Sequence, residues 1–264
     1  MLAAALAFLA GLLIGSFLNV CIYRLPRDLS VARPSRSFCP ACEETIAWYD
    51  NIPLLSYAFL RGRCRRCHEP ISIRYPLVEL ATALWFGWAV ATMGPTPDAL
   101  RLCIFGAILI ALVVTDFEEQ ILPDEFTLGG TVVGIVLSLL IPLHGGIAHI
   151  FLYDKGERIA SLGEAGLGAA VSALMLWLLR WIYEKVRHRE GLGLGDVKMV
   201  AMIGAFLGLQ GAIFTIMVGS ILGSVVGLGF ILIARKNAAT YELPYGSFLG
   251  FAGLVVAFWF RTGF

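Results

Sequence analysis

The amino-terminal stretch LAAALAFLAGLLIGSFLNVCIY, residues 2–23, decides the fold class, because it carries no charged side chain and is long enough to cross a bilayer. Seven further apolar stretches follow it, at 76–93, 99–115, 126–142, 162–182, 192–209, 211–234 and 244–260. The runs are continuous rather than alternating, which excludes a transmembrane barrel. The sequence therefore predicts an all-α polytopic membrane protein with about eight transmembrane helices. The sixth and seventh are separated by Gln210-Gly211 alone.

The composition agrees with that prediction. Of 264 residues, 58% are apolar and only 15% are charged, and the mean hydropathy is +0.80. Soluble domains carry about 25% charged residues. These values exclude a disordered chain, a coiled coil and an ordinary soluble enzyme. The net charge of +1 argues against a nucleic-acid partner, since binders of that kind are basic.

The basic residues predict the orientation of the chain. No basic residue precedes the first apolar run, and Arg24 and Arg27 follow it, which is the wrong arrangement for a cleaved signal peptide. Lys and Arg remain on the cytoplasmic side, so the amino terminus is expected outside. We therefore predict a first transmembrane helix at 1–23, a cytoplasmic insert at 24–75 and a transmembrane core at 76–264. In a bacterium this membrane would be the inner one.

The insert carries two Cys-x-x-Cys pairs, Cys39-Pro-Ala-Cys42 and Cys64-Arg-Arg-Cys67. Four thiolates at this spacing suit a tetrahedral Zn²⁺ site, and four protein ligands leave no position open for a substrate. The alternative is two disulfides, which a reducing cytoplasm disfavours. The pattern favours structural zinc, because an insert of this length has too small a core to fold easily alone.

A basic run lies next to the second cysteine pair and has two explanations. It consists of Arg61, Arg63, Arg65 and Arg66. Arginines beside a membrane attract anionic lipid head groups. The alternative is contact with an acidic part of a substrate, and the sequence favours the lipid.

Several other features are predicted to be structural. Small residues spaced four apart allow helices to approach closely in lipid, and we expect Gly11, Gly15, Gly219, Gly223 and Gly227 to do so. The remaining cysteines, Cys21 and Cys103, are expected to pack within spans. The segment 143–161 contains His144 and His149, which could hold a metal, but an exposed polar loop is favoured. No internal repeat is evident.

Two aspartates lie at the same membrane face in the predicted topology. Asp116 closes the third apolar run and Asp196 opens the sixth, so alternating spans bring both to the cytoplasmic side. Carboxylates at membrane depth are costly and usually mark function. Two such groups held close together share a proton, so one can act as general base on water and the other as general acid toward a carbonyl. The sequence predicts this role for Asp116 and Asp196.

Alternatives remain open for each aspartate. The neighbouring acids that compete with Asp116 are Glu118, Glu119 and Asp124, although such residues are commonly solvated. Asp196 follows Gly191, Gly193 and Gly195. Glycines there could let an extended peptide lie beside the acid. The other explanation is a flexible loop in which Asp196 caps the start of a helix.

Taken together, these segments resemble the bacterial type 4 prepilin peptidase family. The matching stretches are GSFLNVCIYRLPR at 15–27, AWYDNIPLLSY at 47–57, LRGRC at 60–64, RYPLVE at 74–79, the aspartate segment at 116–127 and GLGDVK at 193–198. The resemblance extends from about residue 11 to residue 250, and the motifs of the insert are the most specific part.

The resemblance implies an intramembrane aspartyl endopeptidase of the Gly-x-Gly-Asp type. It would remove the leader peptide of type IV prepilins or pseudopilins at the cytoplasmic face, then methylate the new amino terminus with S-adenosylmethionine. Asp116 and Asp196 match the family's catalytic pair. The four cysteines match its zinc tetrad, which usually accompanies methylation. No motif for S-adenosylmethionine is recognisable, so no cofactor-binding residue is assigned.

Two positions depart from the family pattern. Ser247 stands where a second proline is common, and Gly129 stands where proline is often found. Neither is expected to touch a catalytic group, so only local helix geometry is affected.

Two other functions are compatible with parts of the sequence. A zinc-stapled membrane scaffold or transporter would share the composition and the cysteines, but it would not need Asp116 or Asp196 for a reaction. A peptidase without methyltransferase activity is the other, although relatives of that kind generally lack the cysteine-bearing insert.

Overall fold

The computed structural model describes residues 1–34, 36–187, 191–234 and 244–262. Helices dominate these ranges, and the β-structure they contain is two isolated bridges, which confirms the predicted all-α class. The α-helices are α1 Leu2–Arg24, α2 Leu55–Phe59, α3 Arg74–Met93, α4 Pro97–Glu119, α5 Asp124–Leu140, α6 Ile147–Leu152, α7 Glu157–Arg187, α8 Leu194–Ala234 and α9 Tyr245–Thr262. The chain forms two compact units, Met1–Ala111 and Leu112–Phe264.

The predicted count of eight spans is not confirmed. Five helices in the described ranges are long and apolar enough to cross a membrane, and they comprise Leu2–Arg27, Arg74–Met93, Pro97–Glu119, Glu157–Arg187 and Leu194–Gly227. The counts differ because α5 has 17 residues and the apolar part of α9 is short, against the roughly 20 residues that a span needs. In addition, the sixth and seventh apolar stretches both lie in α8.

The break inside α8 falls at Gly208 rather than at Gln210-Gly211. Gly208 has φ 72° and ψ −179°, a conformation that glycine adopts most easily. The break is stabilised by Glu164 of α7, which is 2% exposed and accepts a hydrogen bond of 3.0 Å from the Leu209 N–H. Its other oxygen accepts the Ala148 N–H at 2.9 Å. Two backbone donors, one at the break in α8 and one at the start of α6, are thus satisfied by one buried carboxylate.

In the first unit, α1 and α3 pack as an antiparallel pair through small residues. A Cβ added at Gly11 would lie 2.6 Å from the Ala83 Cα, and one added at Gly15 would lie 2.7 Å from the Glu79 Cα. Only glycine permits such contact between backbones. The packing role predicted for Gly11 and Gly15 is therefore confirmed. Near the insert, Asn19 extends the same register by donating its side-chain N–H to the Tyr75 carbonyl at 3.0 Å.

The insert is fastened to this helix pair by two buried side chains. The Arg24 guanidinium, at the end of α1, donates to the carbonyls of Ser30, Val31, Pro34 and Arg36. Glu79 of α3 accepts the Leu54 N–H at 2.8 Å. Buried charges are tolerated when hydrogen bonds satisfy them, so these contacts order the chain at the start of the insert and near its middle.

In the second unit, α7 and α8 meet backbone to backbone at Gly168 and Gly204. A Cβ at either position would overlap the carbonyl of the other. Farther along α8, a Cβ at Gly219 would lie 3.2 Å from the Leu249 Cα of α9. The second glycine row thus packs as predicted at Gly219.

We expect Gly204→Ala to destabilise the protein strongly, because the added methyl group collides with backbone that cannot rotate away. Overpacking of this kind costs about 1–3 kcal/mol or more. Gly166→Ala on α7 is the matched control, since a Cβ there meets nothing within 4 Å. Thermal unfolding in detergent measures both. Equal melting temperatures for the two variants would contradict the close approach.

The segment 143–161 is more ordered than the exposed polar loop predicted from the sequence. It contains α6, whose Ala148 is buried, while Ile150 and Phe151 are exposed. His144 lies 3.1 Å from the Glu157 carboxylate, and the ring nitrogens of His149 are buried. The prediction erred because apolar residues between the two histidines allow one helical turn to pack on α7.

Candidate active site and metal centre

Asp116 lies in the last turn of α4 and is 6% exposed. Its Oδ2 accepts two hydrogen bonds from Ser247, one from the backbone N–H and one from the hydroxyl at 2.8 Å. A carboxylate near the carboxyl end of a helix is opposed by the helix dipole, whereas the amino end of a helix attracts it. Because Ser247 lies in the first turn of α9, the positive amino end of α9 stabilises the Asp116 carboxylate, whereas the negative end of α4 does not.

The backbone of α9 reaches Asp116 because residue 246 is glycine. A Cβ at Gly246 would lie 2.9 Å from the Asp116 Cγ and 3.0 Å from its Oδ2. The residue before α9, Pro244, has no side-chain group able to cap the helix. Asp116 therefore acts as the capping group of α9, although it is distant in sequence.

Asp196 lies in the first turn of α8 and is 8% exposed. Its Oδ2 accepts the Gly193 N–H at 3.2 Å, which is the reciprocal half of a capping box. Gly195 packs against the connection between α4 and α5, since a Cβ there would lie 3.1 Å from Leu122. One oxygen of Asp196 therefore takes part in capping α8, as one explanation from the sequence proposed. Gly195 allows the start of α8 to pack closely against Leu122.

The two buried carboxylates belong to the same unit and are close enough for their charges to interact. Asp116 is held by the start of α9, and Asp196 is held at the start of α8. Two carboxyl groups whose charges interact can share one proton, so that one is protonated while the other is ionised. The arrangement can therefore supply a general base and a general acid in one place.

The three acids that compete with Asp116 in the sequence have different surroundings. Glu118 and Glu119 are exposed. Asp124 has a side chain that is 57% exposed and lies 2.6 Å from the Lys198 ammonium. These are the properties of surface carboxylates, so the buried environment distinguishes Asp116 from its neighbours.

The four cysteines of the insert form one cluster. The Sγ atoms of Cys39, Cys42, Cys64 and Cys67 all lie within 4.8 Å of one another, and all six cysteines of the chain are free thiols. Tetrahedral zinc with Zn–S bonds of about 2.3 Å places its sulfur atoms roughly 3.8 Å apart. The Cys39 and Cys67 sulfurs are 3.8 Å apart. The donor set and spacing therefore fit a Zn²⁺ ion.

The two Cys-x-x-Cys segments form the same backbone turn, which is an internal repeat that the sequence analysis missed. In each, the first cysteine N–H donates to the carbonyl five residues later, and the residue after the second cysteine donates back to the first cysteine carbonyl. These bonds join Cys39 with Glu44 and Glu43, and Cys64 with Glu69 and His68. Glu43 and His68 both have positive φ, 56° and 60°. The shared pattern Cys-x-x-Cys-x-Glu-x-Ile is its sequence signal.

Electrostatics within the insert prepare one thiol for metal binding. Backbone N–H groups of Cys67 and Arg66 point at the Cys64 sulfur and lower the pKa of its thiol to about 7. The thiolate is the form that binds zinc. A low pKa therefore reduces the proton competition that the metal must overcome.

Two arginines of the basic run are engaged within the insert. Arg65 donates two hydrogen bonds to Asp50, at 2.7 and 2.6 Å, and these hold the pKa of the Asp50 carboxyl below its usual range. Arg66 lies 3.7 Å from a Glu44 oxygen. For these two residues the structure adds an internal role to the lipid and substrate contacts considered from the sequence.

One expectation about the site was wrong. Ser247 was expected not to touch a proposed catalytic group, yet it donates twice to the Asp116 carboxylate. The contact joins residues that are far apart in sequence, so local reasoning could not find it. The available signal was the helix start after Pro244, which presents backbone donors that need a partner.

The fold is that of a multi-pass membrane protein with two buried carboxylates at helix ends. Comparison with known proteins identifies the family. Residues 9–93 match the Bacterial Peptidase A24 N-terminal domain, and residues 103–228 match the Type IV leader peptidase family. The chain therefore belongs to the type IV leader peptidase family. It is an enzyme with peptidase and methyltransferase activity.

Similar proteins cover most of the chain. The prepilin leader peptidase/N-methyltransferase of Aeromonas hydrophila is 37% identical over 97% of this chain and 90% of its own. The protein of the same name from Klebsiella pneumoniae is 39% identical over 81% of this chain and 89% of its own. That from Myxococcus xanthus is 39% identical over 90% of this chain and 66% of its own. No solved structure matches the chain significantly.

Proposed function

We propose that this chain removes the leader peptide of type IV prepilins or pseudopilins and that Asp116 and Asp196 are the catalytic pair. The observation that carries the proposal is the burial of both carboxylates at helix ends within interaction distance. Capping accounts for one acid at each helix end, but it does not require the two acids to lie near each other. Placing two acids together at membrane depth is unfavourable in free energy, and a catalytic role explains why the protein contains them.

The reaction follows from the chemistry of such a pair. The ionised carboxylate takes a proton from a water molecule while the water oxygen attacks the scissile carbonyl carbon. The protonated carboxyl donates its proton to the carbonyl oxygen, which forms a neutral tetrahedral intermediate. Collapse of this intermediate breaks the C–N bond as the amine takes up a proton from the first carboxyl, while one hydroxyl of the intermediate returns its proton to the second carboxylate. Both acids then return to their starting forms.

The orientation belongs to the same proposal. We place the amino terminus outside and the cysteine insert and both aspartates at the cytoplasmic face, as the basic residues predict. The three-part division into 1–23, 24–75 and 76–264 is retained with this orientation. Exposed apolar side chains on α1, such as Leu6, Leu9 and Leu13, support lipid as the surrounding medium.

Methylation of the new amino terminus, with S-adenosylmethionine as methyl donor, completes the proposed function. The names of the relatives support it, since each is an N-methyltransferase as well as a peptidase. Zn²⁺ bound by Cys39, Cys42, Cys64 and Cys67 would hold the two repeated turns together. Four sulfur ligands fill its coordination shell, so its contribution is to stability.

The test is incubation of the purified protein with a prepilin peptide and labelled S-adenosylmethionine, with cleavage and label transfer scored separately. We expect a shortened peptide that carries the label at its new amino terminus. Cleavage without label would reduce the proposal to a peptidase. If neither product forms, the zinc-stapled scaffold or transporter is favoured.

A further inference from the structure

The two aspartates receive unequal numbers of hydrogen bonds. Asp116 accepts two from Ser247, whereas Asp196 accepts one backbone N–H from Gly193 at 3.2 Å. We infer that Ser247 is a positioning residue that holds Asp116 ionised, which makes Asp116 the general base and Asp196 the general acid. The inference rests on the proposed function, because it assigns the roles within that pair.

The direction of the assignment follows from the strength of hydrogen bonds to charged groups. An N–H or O–H bonds a carboxylate more strongly than it bonds a neutral acid, so each donor favours the ionised form. Both Ser247 donors point at Oδ2 of Asp116, and its N–H belongs to the first turn of α9, the positive end of that helix. Oδ1 accepts neither bond, so it is the oxygen that can take a proton from water.

The Ser247 hydroxyl has a second possible acceptor, the Val113 carbonyl at 3.1 Å. Because a hydroxyl carries one proton, the group can donate to Val113 when Asp116 becomes protonated and return to Asp116 when the carboxylate re-forms. The hydroxyl can therefore follow the proton on Asp116 without movement of the backbone.

The helices α5, α8 and α9 carry further titratable groups. Asp196 approaches Asp116 from α8, and Tyr245 of α9 interacts electrostatically with Asp196. The Lys198 ammonium of α8 is bound to Asp124 of α5. On α4 itself, the acids that follow Asp116 are Glu118 and Glu119, and both are exposed. Among the described residues, Ser247 is thus the one seen to donate to the Asp116 carboxylate.

The test is the pH profile of leader cleavage by Ser247→Ala. Loss of the hydroxyl should move the acidic limb of the kcat/KM profile to higher pH by about one unit, because a charge-assisted bond is lost. Below the optimum, kcat should fall roughly tenfold. KM should stay unchanged, since the hydroxyl of Ser247 is directed at Asp116 and the Val113 carbonyl.

Three further variants complete the test. Ser247→Thr keeps a hydroxyl and should restore the acidic limb. Ser247→Pro removes both donors and should shift the acidic limb to still higher pH. Proline is tolerated in the first turn of a helix, so this variant should fold. Ser172→Ala is the matched control, because that buried hydroxyl bonds only carbonyls, of Gly168 and Val200.

The outcomes separate this inference from the proposed function. If Asp116→Asn is inactive but Ser247→Ala keeps the wild-type acidic limb, the inference about Ser247 is overturned. The proposed catalytic pair then stays in place. A shift of the alkaline limb alone would reverse the assignment of base and acid. Absence of cleavage by the unsubstituted protein would remove the proposed function and the inference together.

Discussion

Asp116→Asn and Asp196→Asn are each expected to abolish leader removal, lowering kcat/KM by roughly 10³-fold or more. An amide can neither take a proton from water nor give one to a carbonyl in this pH range, so the remaining carboxylate has no partner. Cleavage of a prepilin peptide by the purified variants, followed by mass spectrometry, measures the effect. Methylation of a peptide supplied already cleaved is measured in parallel, because retained methylation shows that the variant is folded.

Asp124→Asn is the matched control for these variants. It makes the same chemical change a short distance along the chain, but at an exposed carboxylate paired with Lys198. Loss of a surface ion pair costs about 0–1 kcal/mol, so cleavage should remain near the wild-type rate. Full processing by either buried variant would refute the proposed acids, and inactivity of Asp124→Asn would extend the site to α5.

Cys42→Ser is expected to lower the zinc content and to destabilise the insert. With one sulfur ligand replaced by a weakly coordinating hydroxyl, the metal loses a quarter of its coordination shell, and structural zinc supplies about 10–16 kcal/mol to small domains that depend on it. Metal analysis of the purified protein should fall clearly below the value of about one zinc for four cysteines. Limited proteolysis should then cut within 24–75.

Cys103→Ala serves as the control for the cysteine variant. Cys103 is buried in α4 and lies outside the cluster, so its removal should leave the zinc content unchanged. Unchanged metal in Cys42→Ser would point to a role for the cysteines other than zinc binding. Equal losses in both variants would indicate general unfolding rather than loss of a ligand.

The two repeated turns of the insert show what the linear sequence conveys well and what it hides. The spacing of Cys39, Cys42, Cys64 and Cys67 was sufficient to predict a cluster, because each pair is local and four thiols have few other uses in a reducing compartment. The repeated pattern Cys-x-x-Cys-x-Glu-x-Ile is present in the sequence, but it does not show that both segments form the same turn. That equivalence depends on the positive φ at Glu43 and His68, which residue type does not predict.

The sequence by itself determined the all-α membrane class, the cysteine cluster and the candidate aspartates, because hydropathy, ligand spacing and intramembrane charge act through residue type and short range. Tertiary structure decided which acid of the 116–124 segment is buried and which helix end holds it. Close packing at Gly246 brings Ser247 within hydrogen-bond distance of Asp116. A hydrogen bond between residues so far apart in sequence depends on how two helices pack, which no local sequence pattern encodes.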